Sequence, residues 1–227
     1  MKGKKILICL LVLLLLLNCT GCKTEEEKAA EQAKENWEKT SSEAQVGIYC
    51  ALIKEYMLLL EDFGDQTPYP AMLRSVKGNM MSGGMTKSEA LENAKMTILE
   101  EQAVFWYAEQ NDISATQKEV EAYINEYVLD EIQNQESYKA VDSICAKEGI
   151  TFEDTVWAYK DSYKKNLILT QAGVNAETQD AFMNELMENY RQNESYTALM
   201  QVLDNCAELI EGNITDKEII KSSSIYY

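Results

Sequence analysis

The chain contains no histidine. That one absence removes Ser-His-Asp and Cys-His nucleophilic sites, the His-Glu-x-x-His zinc site and most proton shuttling near neutral pH. Gly-x-Gly-x-x-Gly and Walker-type loops are missing as well, so no nucleotide cofactor is indicated. Basic residues are few: 21 Lys and Arg face 38 Asp and Glu, a formal charge of −17. Nucleic acid is thereby excluded as a partner, because binding it needs a basic face. Only two prolines, Pro68 and Pro70, and ten glycines punctuate 227 residues. Helix formers fill nearly everything between them, so long helices are expected. The sustained strand-and-helix alternation of a solute-binding protein is not seen. Chemistry built on carboxylates alone or on Ser-Lys survives these exclusions. Against it, nearly all the acids fall at solvated helix positions, and the expectation is a protein that is not an enzyme and carries no cofactor or metal.

The N-terminus has an order of its own. Lys2, Lys4 and Lys5 precede an unbroken apolar run from Ile6 to Leu17, followed by Asn18-Cys19-Thr20-Gly21-Cys22. Basic, apolar, then small residues is the order of a secretory signal. The run is shorter than the ~20 apolar residues that a spanning helix needs. Its end resembles the lipobox of bacterial lipoproteins, in which small residues stand before an obligatory cysteine; Cys19 occupies the place where that family usually has leucine. The resemblance implies cleavage after residue 21, diacylglycerol on the thiol of Cys22, and a chain held on the extracytoplasmic face of the cell membrane. Two or more acyl chains anchor stably. Loss of residues 1–21 takes away three lysines and no acid, moving the formal charge from −17 to −20. Such a surface stays soluble, is repelled by anionic headgroups and attracts basic segments.

Hydrophobic residues make up 46% of the chain, enough for a true core in the mature part. Residues 22–42, rich in Lys, Glu, Ala, Gln and Ser around Trp37, read as an acidic, partly helical stalk. A helical domain is expected over 43–212. Val46, Tyr49, Cys50, Ile53, Met57 and Leu60 recur at helical spacing, and Phe63 to Pro68 breaks that helix. A short helix follows around Ala71–Met81. Thr86 with Glu89, and Thr116 with Glu119, have the spacing of capping boxes. Leu91, Ala94, Ile98, Phe105 and Ala108, widened by Leu99, Ala103, Val104 and Trp106, mark a central, well-buried helix over 86–111. A helix over 138–147 should end at Gly149, and one opened by Thr151 should carry Val156, Tyr159, Tyr163 and Leu167 to a stop at Gly173. Residues 176–211 form one long helix or two, with Gly212 as the stop. The tail, 213–227, is left open. Of the remaining cysteines, Cys50, Cys145 and Cys206 all lie in apolar helical patterns. Three buried thiols is the plainest reading; no spacing singles out a disulfide pair or a metal site.

Residues 86–170 resemble the N-terminal helical domain of the SurA/PrsA group of extracytoplasmic foldases. The resemblance is carried by Ala90-Leu91 through Ile98-Leu99-Glu100-Glu101-Gln102-Ala103, by Ala108 to Ser114, by Glu119-Val120-Glu121 and by Glu148-Gly149-Ile150-Thr151-Phe152-Glu153-Asp154. More weakly, Val46–Leu60 resembles that group's first helix. These foldases usually continue into a parvulin-type prolyl isomerase domain of about a hundred residues. Here Gly173-Val174-Asn175-Ala176 leads straight into 176–211, which would be the helix that returns to complete an all-α bundle. What the resemblance implies is a holding domain without the catalytic one: a groove that binds unfolded or newly exported proteins. The 13 tyrosines and 10 methionines suit such a groove, since tyrosine buries a ring while its hydroxyl stays wet, and methionine adapts. Most of them, taken singly, are expected in the core. Trp106, Tyr107, Tyr123, Trp157 and Tyr159 are the candidate client-binding residues, because they sit beside the main apolar stripes. The other reading is a non-enzymatic assembly or adhesion lipoprotein with one fixed protein partner.

The anchor can be tested directly. Cys22→Ala is expected to release the protein from membranes or leave the precursor uncleaved, and to abolish metabolic lipid labelling. Continued labelling of the variant would remove the anchor.

Overall fold

The computed structural model describes residues 23–65, 67–133 and 135–214; residues 1–21, expected to be a signal, Cys22 and the tail from 215 onward lie outside the described residues. Helices account for the described chain, and no strand occurs among those residues. In order they are α1 (Glu25–Lys39), α2 (Ser42–Phe63), α3 (Tyr69–Ser82), α4 (Lys87–Gln110), α5 (Gln117–Ile124), a π-helical turn (Asn125–Leu129), α6 (Asp130–Gln133), α7 (Glu136–Glu148), α8 (Phe152–Trp157), α9 (Lys160–Gln171), α10 (Gln179–Tyr190) and α11 (Glu194–Asn213).

Local chemistry sets most of the starts. Thr86 and Thr116 cap α4 and α5, and each backbone N–H donates to the carboxylate three residues on, Glu89 or Glu119, at 2.9 and 2.8 Å. Thr24 with Glu27 and Thr151 with Asp154 do the same for α1 and α8. Each box satisfies amide groups that the first helical turn would leave without partners. Gly149 ends α7 at φ 80°, a left-handed conformation that glycine adopts without a Cβ clash.

Packing is organised around α4, which is lined by α3, α9, α10 and α11. The main core joins Met72, Val76 and Met80 of α3 to Ala94, Leu99, Ala103 and Val104 of α4, Ile168 of α9, Leu186 of α10 and Leu203 and Ile210 of α11. Helix α2 is a shared wall: Ile48 and Leu52 face the main core, while Cys50, Ile53 and Tyr56 join Cys145, Ile150 and Ala158 in a second cluster. A third cluster holds Val120, Ile124, Leu129 and Val156 together, with Trp157, Tyr163 and Leu167 packed on it.

The structure corrects three expectations. The stretch taken as a stalk over 22–42 is, from Glu25, a helix docked on α3: Ala30 and Ala33 are buried, Trp37 packs on the main core, and Ser88 donates its N–H to Glu26. Its alanines give α1 a narrow apolar face, a signal that the surrounding charge obscured. The helix expected to run from Thr151 to Gly173 is two, α8 and α9, separated at Ala158–Tyr159. Of the two readings open for residues 176–211, the structure has two helices, α10 and α11, the second restarted by Asn193, whose side chain accepts from the Ser195 N–H. Gly212 is no stop: α11 continues to Asn213, and Ile214 is 4% exposed in the main core, so the domain extends past 212.

Glycine substitutions distinguish a real docking of α1 from a loose tether. Gly84 has φ 61°, and a Cβ there would lie 2.7 Å from Cβ of Lys34 on α1. Gly84→Ala is expected to cost about 1–3 kcal/mol in urea denaturation. Gly212→Ala, inside α11 with nothing within 4 Å of the new Cβ, should instead add about 0.5–1 kcal/mol.

Candidate functional site

Two clefts open on either side of the short junction between α8 and α9. The first, about 220 Å³, lies between α2, α3, α4 and α9 and is lined by Tyr49, Leu52, Arg74, Asn79, Ile98, Glu101, Tyr159 and Ser162 among others. The second, about 450 Å³, is bounded by Asp65, Ala115, the start of α5, and Trp157, Lys160, Asp161 and Lys164. The chain break between α8 and α9 makes this possible, because it turns Trp157 and Tyr159 toward different clefts.

Arg74 organises the smaller cleft. Its guanidinium lies between two rings, 4.4 Å from the centre of Tyr56 and 4.1 Å from that of Tyr159. It also donates through Nη1 to the carbonyl of Ala158 at the α8–α9 junction. A planar cation between aromatic faces combines ring attraction with hydrogen bonding that a lysine would not reproduce. Across the cleft, Glu101 accepts from the Ser162 hydroxyl at 2.6 Å. Burial pushes the Glu101 carboxyl above its ordinary range, aided by the nearby charge of Asp161; the Ser162 hydrogen bond and the charges of Lys165 and Arg74 pull it back. Burial likewise raises the Tyr56 hydroxyl. The remaining lining mixes apolar Leu52, Ala71, Ala94 and Ile98 with Asn79, which donates to Asn93 at 3.0 Å. The rim is aromatic. Tyr49 and Tyr159 are each 39% exposed, and Tyr49 is braced edge-on by Trp37 of α1 at 5.3 Å.

The larger cleft mixes one indole with charges of both signs. Trp157 donates through Nε1 to Glu153 at 3.2 Å, which fixes the ring at the wall. Lys164 lies over the ring of Phe105 at 4.2 Å. Among the described residues, no group of three or more Cys, Asp or Glu is arranged to hold a metal ion, and no helix is long and apolar enough to cross a membrane.

The five client-binding candidates do not share one groove. Trp106 stacks at a tilt on Tyr190 at 5.7 Å and packs against the main core, and Tyr107 meets Phe182 edge-on at 5.1 Å. Both hold α10 against α4, and neither lines the two clefts. Tyr123, on the helix that runs into the π turn, pairs with the exposed Tyr127 at 5.2 Å and is not among the residues that line either cleft. Only Trp157 and Tyr159 line clefts, one each. Sequence reasoning missed Arg74, Glu101, Ser162 and Tyr49. Arg74 had a legible signal, being one of two arginines in the chain and set within the apolar pattern of α3. Glu101 and Ser162 had none, since nothing local shows that α4 and α9 cross there. No protein family model matches the chain, and no curated protein or solved structure matches it.

Glu101 gives the site a measurable pH signature. With its pKa raised in the folded state, the folded chain binds the proton more tightly than the unfolded chain. The penalty for the charged form is therefore complete above the folded pKa and fades as pH falls toward the ordinary carboxylate value. Glu101→Gln keeps an acceptor for Ser162 and removes that penalty. The variant should be more stable than wild type at pH 7. That advantage should shrink toward pH 4.5, the ordinary value for the carboxyl. Paired melting curves at the two pH values check this, and a variant less stable at pH 7 would contradict it.

Proposed function

We propose that the chain is a lipid-anchored, extracytoplasmic and non-enzymatic holding protein, which binds unfolded or newly exported polypeptide as the SurA/PrsA N-terminal domains are expected to do. The observation that carries the reading is the pair of open clefts flanking the α8–α9 junction, with Tyr159 at the wall of one and Trp157 at the wall of the other. An extended client sends alternate side chains to opposite sides, so neighbouring clefts of modest size can take separate apolar side chains without demanding one sequence. Burying about 200 Å² of apolar client surface would contribute roughly 5 kcal/mol before the cost of ordering the client. The net affinity is then weak, which suits capture and release.

The edges add a second component. Lys160, Asp161 and Lys164 at the larger cleft, within a chain of formal charge −17, offer exposed charge to a client. Attraction of basic segments should fall with added salt, since exposed charges are screened within about 10 Å at 0.1 M, while the apolar part persists. In this reading Cys22 holds the domain at the membrane surface, and α1 sets the clefts at a defined distance from the anchor.

The test is suppression of aggregation of a denatured protein, paired with melting curves. Tyr159→Ser with Tyr49→Ser should weaken suppression severalfold with little change in melting, because both rings are partly exposed at the cleft rim. Trp106→Ser should do the reverse, losing roughly 3 kcal/mol of stability as its packing on Tyr190 goes. If the wild-type chain neither slows aggregation nor binds unfolded chains at micromolar concentration, the holding function is wrong and an assembly or adhesion lipoprotein with one fixed partner becomes the account.

A further inference from the structure

Cys50 on α2 and Cys145 on α7 are 95 positions apart in sequence, yet their sulfurs lie 3.1 Å from each other. Both thiols are shut away from solvent, at 1% and 0% exposure. Their surroundings, Ile53, Tyr56, Ile150 and Ala158, make a small cluster separate from the main core. Cys206 sits elsewhere, in the main core on α11. A disulfide needs sulfurs about 2.05 Å apart, so a further approach of about 1 Å would complete one. Helix α7 packs along α2, and polar contacts join the two at their edges. Lys54 donates to the carbonyl of Glu148 at 2.8 Å, and Lys147 pairs with Glu43 at 3.2 Å, both at the surface where such contacts contribute little.

We propose that Cys50 and Cys145 are joined by a disulfide in the exported protein, a covalent staple between α2 and α7. The location of its formation rests on the extracytoplasmic reading above; the choice of partners rests on the geometry alone. In the folded, reduced protein, burial and the neighbouring thiol push Cys50 up to about 12, so almost no thiolate is present to react. The bond therefore forms while the chain is folding and the second cluster is still open. One cysteine, as thiolate, attacks the disulfide of an exchange oxidant, such as oxidised glutathione or a disulfide oxidoreductase. One oxidant sulfur leaves as a thiol and a mixed disulfide remains. The second cysteine, as thiolate, then attacks the protein sulfur of that mixed disulfide and expels the other oxidant sulfur. Two protein thiols lose two protons and two electrons, and the oxidant disulfide takes them up to become two thiols. The closed loop contains α3, α4, α5 and α6, so the link restricts a long stretch of the unfolded chain, where loop closure has its largest effect.

The full-length chain would be trapped in expressing cells by acid quenching, alkylated under denaturing conditions and mapped by mass spectrometry without reduction. The expected result is a peptide pair linking Cys50 to Cys145, two hydrogens lighter than the reduced pair, with Cys206 alkylated. The purified chain, unfolded with reductant and refolded with oxidised glutathione, should give the same link and melt roughly 10 °C above the chain refolded with reductant. Cys145→Ala should remove both the linked peptide and the sensitivity of melting to reductant. Alkylation of both Cys50 and Cys145 in the trapped protein would overturn the proposal, as would either of them paired with Cys206 or Cys22. Client binding is read by a separate assay, so failure of the holding function leaves this result standing.

Discussion

From Ile98 to Ala108 no residue of α4 is exposed, and that covered half-helix is the constraint on which the architecture rests. A helix covered around most of its circumference needs several neighbours, and here they come both from the preceding helix and from distant parts of the chain. Helices α3, α9, α10 and α11 supply the cover. Alanines make it feasible. Ala94 and Ala103 are 0% exposed and Ala108 is 5% exposed, leaving room for the large side chains of the neighbours, Met72, Ile168 and Leu203 among them. Trp106 and Tyr107 belong to this requirement: they cover the far end of α4 by stacking on Tyr190 and Phe182 of α10.

The clefts follow from how that cover ends. Helices α2 and α3 reach one side of α4 and α9 reaches another, and the space between them is only partly filled. Arg74 lines it. A charged group in such a place needs both neutral hydrogen-bond acceptors and polarizable surfaces, and it has the Ala158 carbonyl and two tyrosine rings. Glu101 on the opposite wall is held with a raised pKa between Ser162, Lys165 and Asp161. The result is a cleft whose lining sets the charges of Arg74 and Glu101 among apolar side chains such as Leu52 and Ile98, under an aromatic rim. The docking of α1 contributes to it through Trp37 behind Tyr49. A segment that its composition marks as a tether is thus part of the wall.

What the sequence alone could determine is whatever depends on neighbours within about four positions. The all-helical class, the threonine-led capping boxes at Thr86, Thr116 and Thr151, and the left-handed stop at Gly149 are of this kind, because the hydrogen bonds and dihedral angles involved are closed within one turn. The central place of α4 was legible too, since its apolar residues spread beyond one stripe. What only the tertiary structure decided depends on helices meeting. Docking of α1, the split between α8 and α9, the crossing that puts Ser162 on Glu101 and the approach of Cys50 to Cys145 leave no periodic mark, because each partner alone is compatible with exposure or burial. The aromatic candidates show the same boundary. Trp106 and Trp157 look alike beside their stripes, yet one fills the interface with α10 and the other walls a cleft, because the fate of a large side chain is settled by which helix arrives opposite it.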